Sequence, residues 1–119
     1  MTRAKTIPLL GYTTGMSLIH VIATIDVVPG NRDDFLAEFH RLVPLVLAEK
    51  GCLEYAPACD TFANLPAQPP LRVNAVTVIE KWESVEALHA HLAAPHMIAY
   101  RTLVKDLVAG VTLHVLSPA

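Results

Sequence analysis

A run of apolar and β-branched residues over 17–28 is followed at once by the turn pair Pro29-Gly30 and then by a helical pattern. Valine, isoleucine and threonine favour an extended backbone, whereas a Pro-Gly pair stops a strand. Apolar residues occupy both faces of this strand, as expected of a central strand that is covered on both sides. The helix after it is predicted to begin behind the N-cap Asn31 and to end at Gly51.

The rest of the chain continues this alternation. Ser84 is the predicted N-cap of a second helix, which breaks near Pro95 and continues to about Ala109. A proline-rich hairpin loop is predicted over 62–71, and Pro57 places the strand before it at a sheet edge or a bulge. The further strands are predicted over residues 52–61, 72–82 and 111–116. The order β-α-β-β-α-β is that of the ferredoxin-like, split βαβ unit, an α+β fold.

Composition limits the partners that this chain can have. Of 119 residues, 53% are hydrophobic and 17% are charged, and the net charge is −2. A domain this small has little interior, so the apolar excess predicts a large buried interface, most simply that of a homodimer. The lack of a basic run argues against nucleic acid, and the lack of an 18-residue apolar run argues against a membrane span.

Two further features bear on location and organisation. The chain has two cysteines, Cys52 and Cys59, and no secretory signal pattern, which predicts the reducing environment of the cytoplasm. Residues 1–15 show no clear hydrophobic periodicity and are predicted to be a flexible extension. A single domain is expected over residues 16–119.

Neighbouring histidines raise the question of a metal site. On a helix, His89 and His91 point about 200° apart and cannot share an ion, so no metal is expected. His91 and His96 are separated by the predicted break at Pro95, which leaves their relative positions open. Each is interpreted either as a polar histidine on a helix surface or as part of a pocket.

The third strand carries polar side chains in an apolar setting. Trp82 offers an indole N–H and a flat wall for an aromatic ligand, or is a core tryptophan. Asn74 offers a donor and an acceptor, or lies exposed at the start of the strand. Tyr55 adds a hydroxyl or makes a cross-strand aromatic contact, and Arg101 binds substrate or is a surface charge. Because successive side chains of a strand point to opposite faces, one face of this strand carries Asn74, Val76, Val78, Glu80 and Trp82.

An ordered set of short motifs runs through the chain. These are V-P-G at 28–30, G-C-L-E-Y at 51–55, E-K-W-E-S at 80–84 and H-L-x-x-P-H at 91–96. In this order they resemble the antibiotic-biosynthesis monooxygenase family, which includes small quinol monooxygenases. The resemblance implies a dimeric α/β barrel in which two ferredoxin-like units pack sheet against sheet. It also implies oxidation of phenols or hydroquinones by O₂ without metal, flavin or haem.

The resemblance also implies roles for individual residues. The family's strand-end tryptophan corresponds to Trp82, and its helix histidines correspond to His91 and His96. A phenol has a pKa of about 10, so a histidine base and hydrogen-bond donors such as Asn74 and the Trp82 N–H are expected to favour its anion. We therefore expect a cofactor-independent monooxygenase that oxidises a small quinol-like or polyketide-derived aromatic.

Three positions depart from the patterns of particular relatives. Haem-degrading relatives have an asparagine and a histidine where this chain has Ala23 and about Arg101, which argues against haem. Some antibiotic-tailoring members have an asparagine where this chain has Val78, and this difference argues against the oxygenase activity. The alternatives are a non-catalytic dimeric ligand-binding or stress-associated protein of the same fold, and an isomerase of a small lactone.

Overall fold

The computed structural model describes residues 17–119, and the predicted extension over 1–15 lies outside them. The elements, in chain order, are β1 (Ile19–Val27), α1 (Arg32–Leu47), β2 (Cys52–Ala58), β3 (Ala75–Trp82), α2 (Val85–Leu92), α3 (Pro95–Val104) and β4 (Val108–Leu116). This is the predicted ferredoxin-like α+β order, and the second helix is divided at Pro95 as expected.

The four strands form one antiparallel sheet in the order β2-β3-β1-β4. The strand β1 is central, as its apolar pattern predicts, and β2, which contains Pro57, lies at an edge. In the register, Glu80 of β3 lies opposite Val21 of β1 and Tyr55 of β2. These three side chains therefore share one face of the sheet.

Helix α1 packs against that face with one apolar stripe. Phe35, Phe39, Leu42 and Val46 follow the spacing of a helix face and are all buried. The helix continues through Pro44 to Leu47. These side chains share a core with the alternate residues of β1, which explains why the helix is stable although it contains a proline.

Helix ends were predicted with mixed success. Asn31 occupies the N-cap position of α1 but makes no capping bond, because its side-chain amide donates to the carbonyl of Pro29. Ser84 caps α2 as predicted, accepting from the backbone N–H of Ala87 at 3.1 Å. The prediction that α3 extends to about Ala109 is wrong. The helix ends at Val104, and Ala109 already belongs to β4.

Strand β4 lies at the second sheet edge and is little covered. Val111, Leu113 and Val115 are paired with Ile25, Ala23 and Val21, so they point to the helix side of the sheet. Each of them is nevertheless at least 42% exposed. Within residues 17–119, the helices therefore cover β1, β2 and β3 but leave β4 open. No helix in this part of the chain is long and apolar enough to span a membrane.

Candidate functional site

One carboxylate joins two histidines at the end of the helical layer. Glu49 Oε2 lies 3.0 Å from Nδ1 of His91 and 2.5 Å from Nε2 of His96. The side chain of His91 is 2% exposed, that of Glu49 12% and that of His96 25%. The cluster therefore extends from the core at His91 to the protein surface at His96.

Local structure brings these three side chains together. Glu49 lies in the turn after α1, and Gly51 follows it with a left-handed φ of +85°. A Cβ on Gly51 would lie 2.7 Å from the Cβ of Ala87, so only glycine lets this turn approach α2 so closely. His91 lies in the last turn of α2, and the change of direction at Pro95 places His96 in the first turn of α3.

Aromatic rings surround the buried histidine. The ring centroid of His91 lies 4.6 Å from that of Trp82 and 5.3 Å from that of Tyr55. Tyr55 in turn stacks on Phe39 of α1 at 5.5 Å. Burial lowers the pKa of His91, and the contact with Glu49 opposes this effect. His91 is therefore a neutral base at neutral pH.

A second carboxyl group lies beside this cluster. Glu80 is 5% exposed, and its Oε1 accepts a hydrogen bond from Nε1 of Trp82 at 2.9 Å. The pKa of Glu80 is raised to about 7, chiefly by burial and also by the charge of Glu49, while the hydrogen bond from Trp82 opposes this rise. Burial and the same two carboxylates raise the pKa of Cys52 to about 11, so Cys52 remains a thiol at neutral pH.

The structure brings together four of the predicted site residues, namely Tyr55, Trp82, His91 and His96. The indole N–H of Trp82, which we expected to hold a substrate anion, is bonded to Glu80 instead.

The other two predicted residues, Asn74 and Arg101, make no hydrogen bond to Glu49, His91 or His96 in the described part of the chain. Asn74 lies at the opposite end of β3 from Trp82, and eight residues of strand span about 26 Å. Its carbonyl accepts from the backbone N–H of Val27. Arg101 is exposed on α3, and its guanidinium donates to the carbonyl of Leu92. Asn74 therefore lies outside the histidine cluster, whereas Arg101 lies at its margin, and its positive charge contributes to lowering the pKa of His91.

Sequence reasoning missed Glu49 and assigned no role to Glu80. One signal was available for Glu49, since an acidic residue just after the end of a helix faces the negative end of the helix dipole. Helix α1 has no basic residue in its last turn to offset it. For Glu80, the signal was a carboxylate at an inward-facing position of a strand, where charged groups are rare unless they have a partner.

The cluster has the chemistry of a general base. Within residues 17–119, no group of three histidine, cysteine, aspartate or glutamate side chains is arranged to hold a metal ion. His89 is exposed while His91 is buried, as expected for helix positions two residues apart. A carboxylate accepts only, so it fixes the proton of His91 on Nδ1 and leaves Nε2 free to accept another.

Comparison with known proteins adds independent evidence. The profile of the family described as antibiotic biosynthesis monooxygenase matches residues 18–103. The chain is 40% identical to the probable quinol monooxygenase YgiN of Escherichia coli over 103 residues, which are 85% of this chain and 98% of that protein.

Solved structures show the same fold. The protein PA3566 of Pseudomonas aeruginosa superimposes with a TM-score of 0.74 at 24% identity, over 89% of this chain and 98% of that one. The protein Rv0793 of Mycobacterium tuberculosis superimposes with a TM-score of 0.70 at 27% identity, over 87% of this chain and 96% of that one.

Proposed function

Because this chain is a member of the antibiotic biosynthesis monooxygenase family, we propose that it oxidises a small quinol-like or polyketide-derived aromatic with O₂ and without a bound cofactor. The observation that carries the proposal is the contact of one carboxylate, Glu49, with both His91 and His96 beside the ring of Trp82. This places a base next to a flat apolar wall, which is what the oxidation of a phenol requires.

The first step is removal of the phenolic proton. A neutral phenol with a pKa of about 10 is a poor electron donor, whereas its anion is a good one. His91 accepts the proton on Nε2, and the carboxylate of Glu49 stabilises the imidazolium that forms. His96 shares the same carboxylate and is more exposed, so it returns the proton to solvent.

The aromatic rings bind the substrate and orient it. Trp82 and Tyr55 pack against His91, and under this proposal a flat aromatic substrate reaches His91 beside these two rings. Because the Trp82 N–H is bonded to Glu80, Trp82 contributes its ring face and not a hydrogen bond to the substrate. An apolar enclosure also keeps water away from reactive oxygen intermediates.

The electrons come from the substrate alone. The phenolate passes electrons to O₂, one oxygen atom enters the ring, and the other leaves as water. For a 1,4-hydroquinone with a free ring position, hydroquinone and O₂ give a hydroxyquinone and water. The substrate loses four electrons in this reaction, so no external reductant is needed.

We also propose that the chain acts as a homodimer in the cytoplasm. The uncovered apolar residues Val111, Leu113 and Val115 on the helix side of β4 offer a surface that a second copy would bury, and Ile79 and Leu116 are exposed on the opposite face of the sheet. Cys52 and Cys59 are both free thiols, which a reducing compartment maintains.

Oxygen consumption tests the proposed reaction. The purified protein is incubated with a dihydroquinone such as menadiol, with and without air, and O₂ uptake is followed beside a protein-free blank. We expect uptake above the blank and one atom of ¹⁸O in the organic product when ¹⁸O₂ is used. Uptake equal to the blank, with menadiol nevertheless bound, would identify the non-catalytic ligand-binding alternative instead.

A further inference from the structure

Glu80 is a carboxyl group that the proposed reaction does not use, in a position where a carboxyl group is costly. It lies between Val21 of β1 and Tyr55 of β2 in the register, and both of these neighbours are buried. Burying a carboxyl among apolar side chains is unfavourable unless it is hydrogen-bonded or gains a proton. Its side-chain partner in the structure is the indole N–H of Trp82 at 2.9 Å.

The bond to Trp82 does not by itself require an acid. The amide oxygen of a glutamine would accept the same N–H at the same place and would avoid the cost of burying an ionisable group. What a carboxyl adds is the ability to exist in a charged and a neutral form. A glutamine at this position could therefore hold Trp82 but could not change its charge with pH.

Trp82 links Glu80 to the proposed base. Trp82, which is bonded to Glu80, lies against His91, and Glu49 contacts His91 through Nδ1. Two further titratable groups, Tyr55 and Cys52 on β2, lie close enough to Glu80 that its charge raises the pKa of each. A site that carries charges on both Glu49 and Glu80 opposes the formation of a third anion, the phenolate.

We propose that Glu80 is a positioning residue of this site: its carboxyl holds the indole of Trp82 against His91 and, by gaining or losing a proton, sets the negative charge beside the bound aromatic. With Glu80 protonated, the site carries only the charge of Glu49, and the substrate anion forms readily. With Glu80 ionised, the bond to Trp82 is strengthened by charge, and formation of the substrate anion is opposed. The raised pKa of Glu80, about 7, places this change near neutral pH.

Trp82 reports directly on this proton because it is the single tryptophan of the chain. Its emission is recorded between pH 5 and 9 in the free protein, without substrate, for the wild type, Glu80→Gln and the control Glu54→Gln on the exposed side of β2. We expect one emission change with a midpoint near pH 7 in the wild type and in Glu54→Gln, and none in Glu80→Gln. Persistence of the change in Glu80→Gln would overturn the proposal.

A second variant separates Glu80 from the adjacent histidine and does not depend on the stability of Glu80→Gln. In His91→Asn, the emission change near pH 7 is expected to remain, because the carboxyl group that causes it is still present. Its loss in His91→Asn would assign the change to the imidazole and overturn the proposal. A wild-type protein without any emission change near pH 7 would overturn it as well.

The consequence for activity rests on the proposed oxidation, whereas the emission of the free protein does not. In wild-type protein, blank-corrected O₂ uptake is expected to fall about tenfold per pH unit above pH 7, and in Glu80→Gln this fall is expected to be absent. An emission change without turnover would leave the role of Glu80 in place and refute the oxidation. Turnover with identical pH profiles in both proteins would refute the role of Glu80 alone.

Discussion

The carboxylate of Glu49 lies 3.0 Å from Nδ1 of His91, although 42 residues separate the two side chains along the chain. The contact joins the turn after α1 to the last turn of α2, and His96 of α3 reaches the same carboxylate. The end of α1, helix α2 and helix α3 thus meet at the carboxylate of Glu49. This carboxylate holds Nδ1 of the buried imidazole and leaves Nε2 as the basic nitrogen.

Substituting Glu49 tests whether this charge supports proton removal. Glu49→Gln keeps the size of the side chain but cannot stabilise an imidazolium, so we expect blank-corrected O₂ uptake to fall by about 10²-fold. Glu86→Gln, on the exposed first turn of α2, is the control and is expected to leave the uptake unchanged. An equal loss in both variants, or none in Glu49→Gln, would contradict the assignment.

The pH dependence of stability tests the burial of Glu80. Its pKa rises from the usual 4.5 to about 7 on folding, so the folded state binds more protons than the unfolded chain between these values. Stability from this residue therefore decreases as pH rises from about 4.5 to 7. The free energy of unfolding of wild type and Glu80→Gln is measured in urea at pH 5 and pH 8. We expect the stability of Glu80→Gln relative to wild type to be greater at pH 8 than at pH 5, by about 3 kcal/mol at most. A difference that does not depend on pH would contradict this account.

The long β2–β3 loop is held by an ion pair between Asp60 and Arg72. The Arg72 guanidinium donates to both carboxylate oxygens at 2.7 and 2.9 Å, which lowers the pKa of Asp60 to about 2. Its contribution to stability is therefore present above the ordinary pKa of 3.8 and is lost as pH falls toward 2. At neutral pH, we expect Asp60→Asn to speed proteolytic cleavage within residues 61–74. The exposed Asp106→Asn is the control, and equal cleavage of the two variants would contradict the prediction.

The open edge of the sheet at β4 predicts the effect of a charge at the proposed dimer interface. Leu113 is 42% exposed on the uncovered helix side of β4, so Leu113→Lys is expected to convert a dimer into a monomer in sedimentation at micromolar concentration. Leu103→Lys on α3, where leucine is 64% exposed, is the matched control and is expected to remain dimeric. A wild-type monomer at this concentration would refute the interface.

Strand and helix order could be predicted from sequence because local patterns determine it. The β-branched run of β1, the stripe of α1 and the break at Pro95 each appear within a few residues of sequence. The end of α3 was misplaced because Leu107 and Val108 continue the apolar helical spacing of Leu103 and Val104 beyond the polar pair Lys105-Asp106, and Gly110 lies within the strand instead of ending the helix. Local pattern does not distinguish a helix from a strand in such a run.

The candidate site could be predicted only in part, because it depends on contacts between distant segments. Trp82 and His91 were identified by residue type and position, but their partners were not. The position of Glu49 depends on the close approach of Gly51 to Ala87, and that of Glu80 on its pairing with Val21 and Tyr55. Each of these contacts is tertiary, so a local pattern can mark the carboxylate as unusual but does not identify its partner.

Two histidines of one helix provide the most direct test of the proposed base. His91 is buried against Trp82 and Glu49, whereas His89, two residues earlier, is exposed on α2. O₂ uptake with menadiol is measured for His91→Asn and His89→Asn, with thermal unfolding to establish that both variants are folded. We expect the blank-corrected rate of folded His91→Asn to be at least 10²-fold lower than that of the wild type, and His89→Asn to retain the wild-type rate. A folded His91→Asn protein that consumes O₂ at the wild-type rate would contradict it.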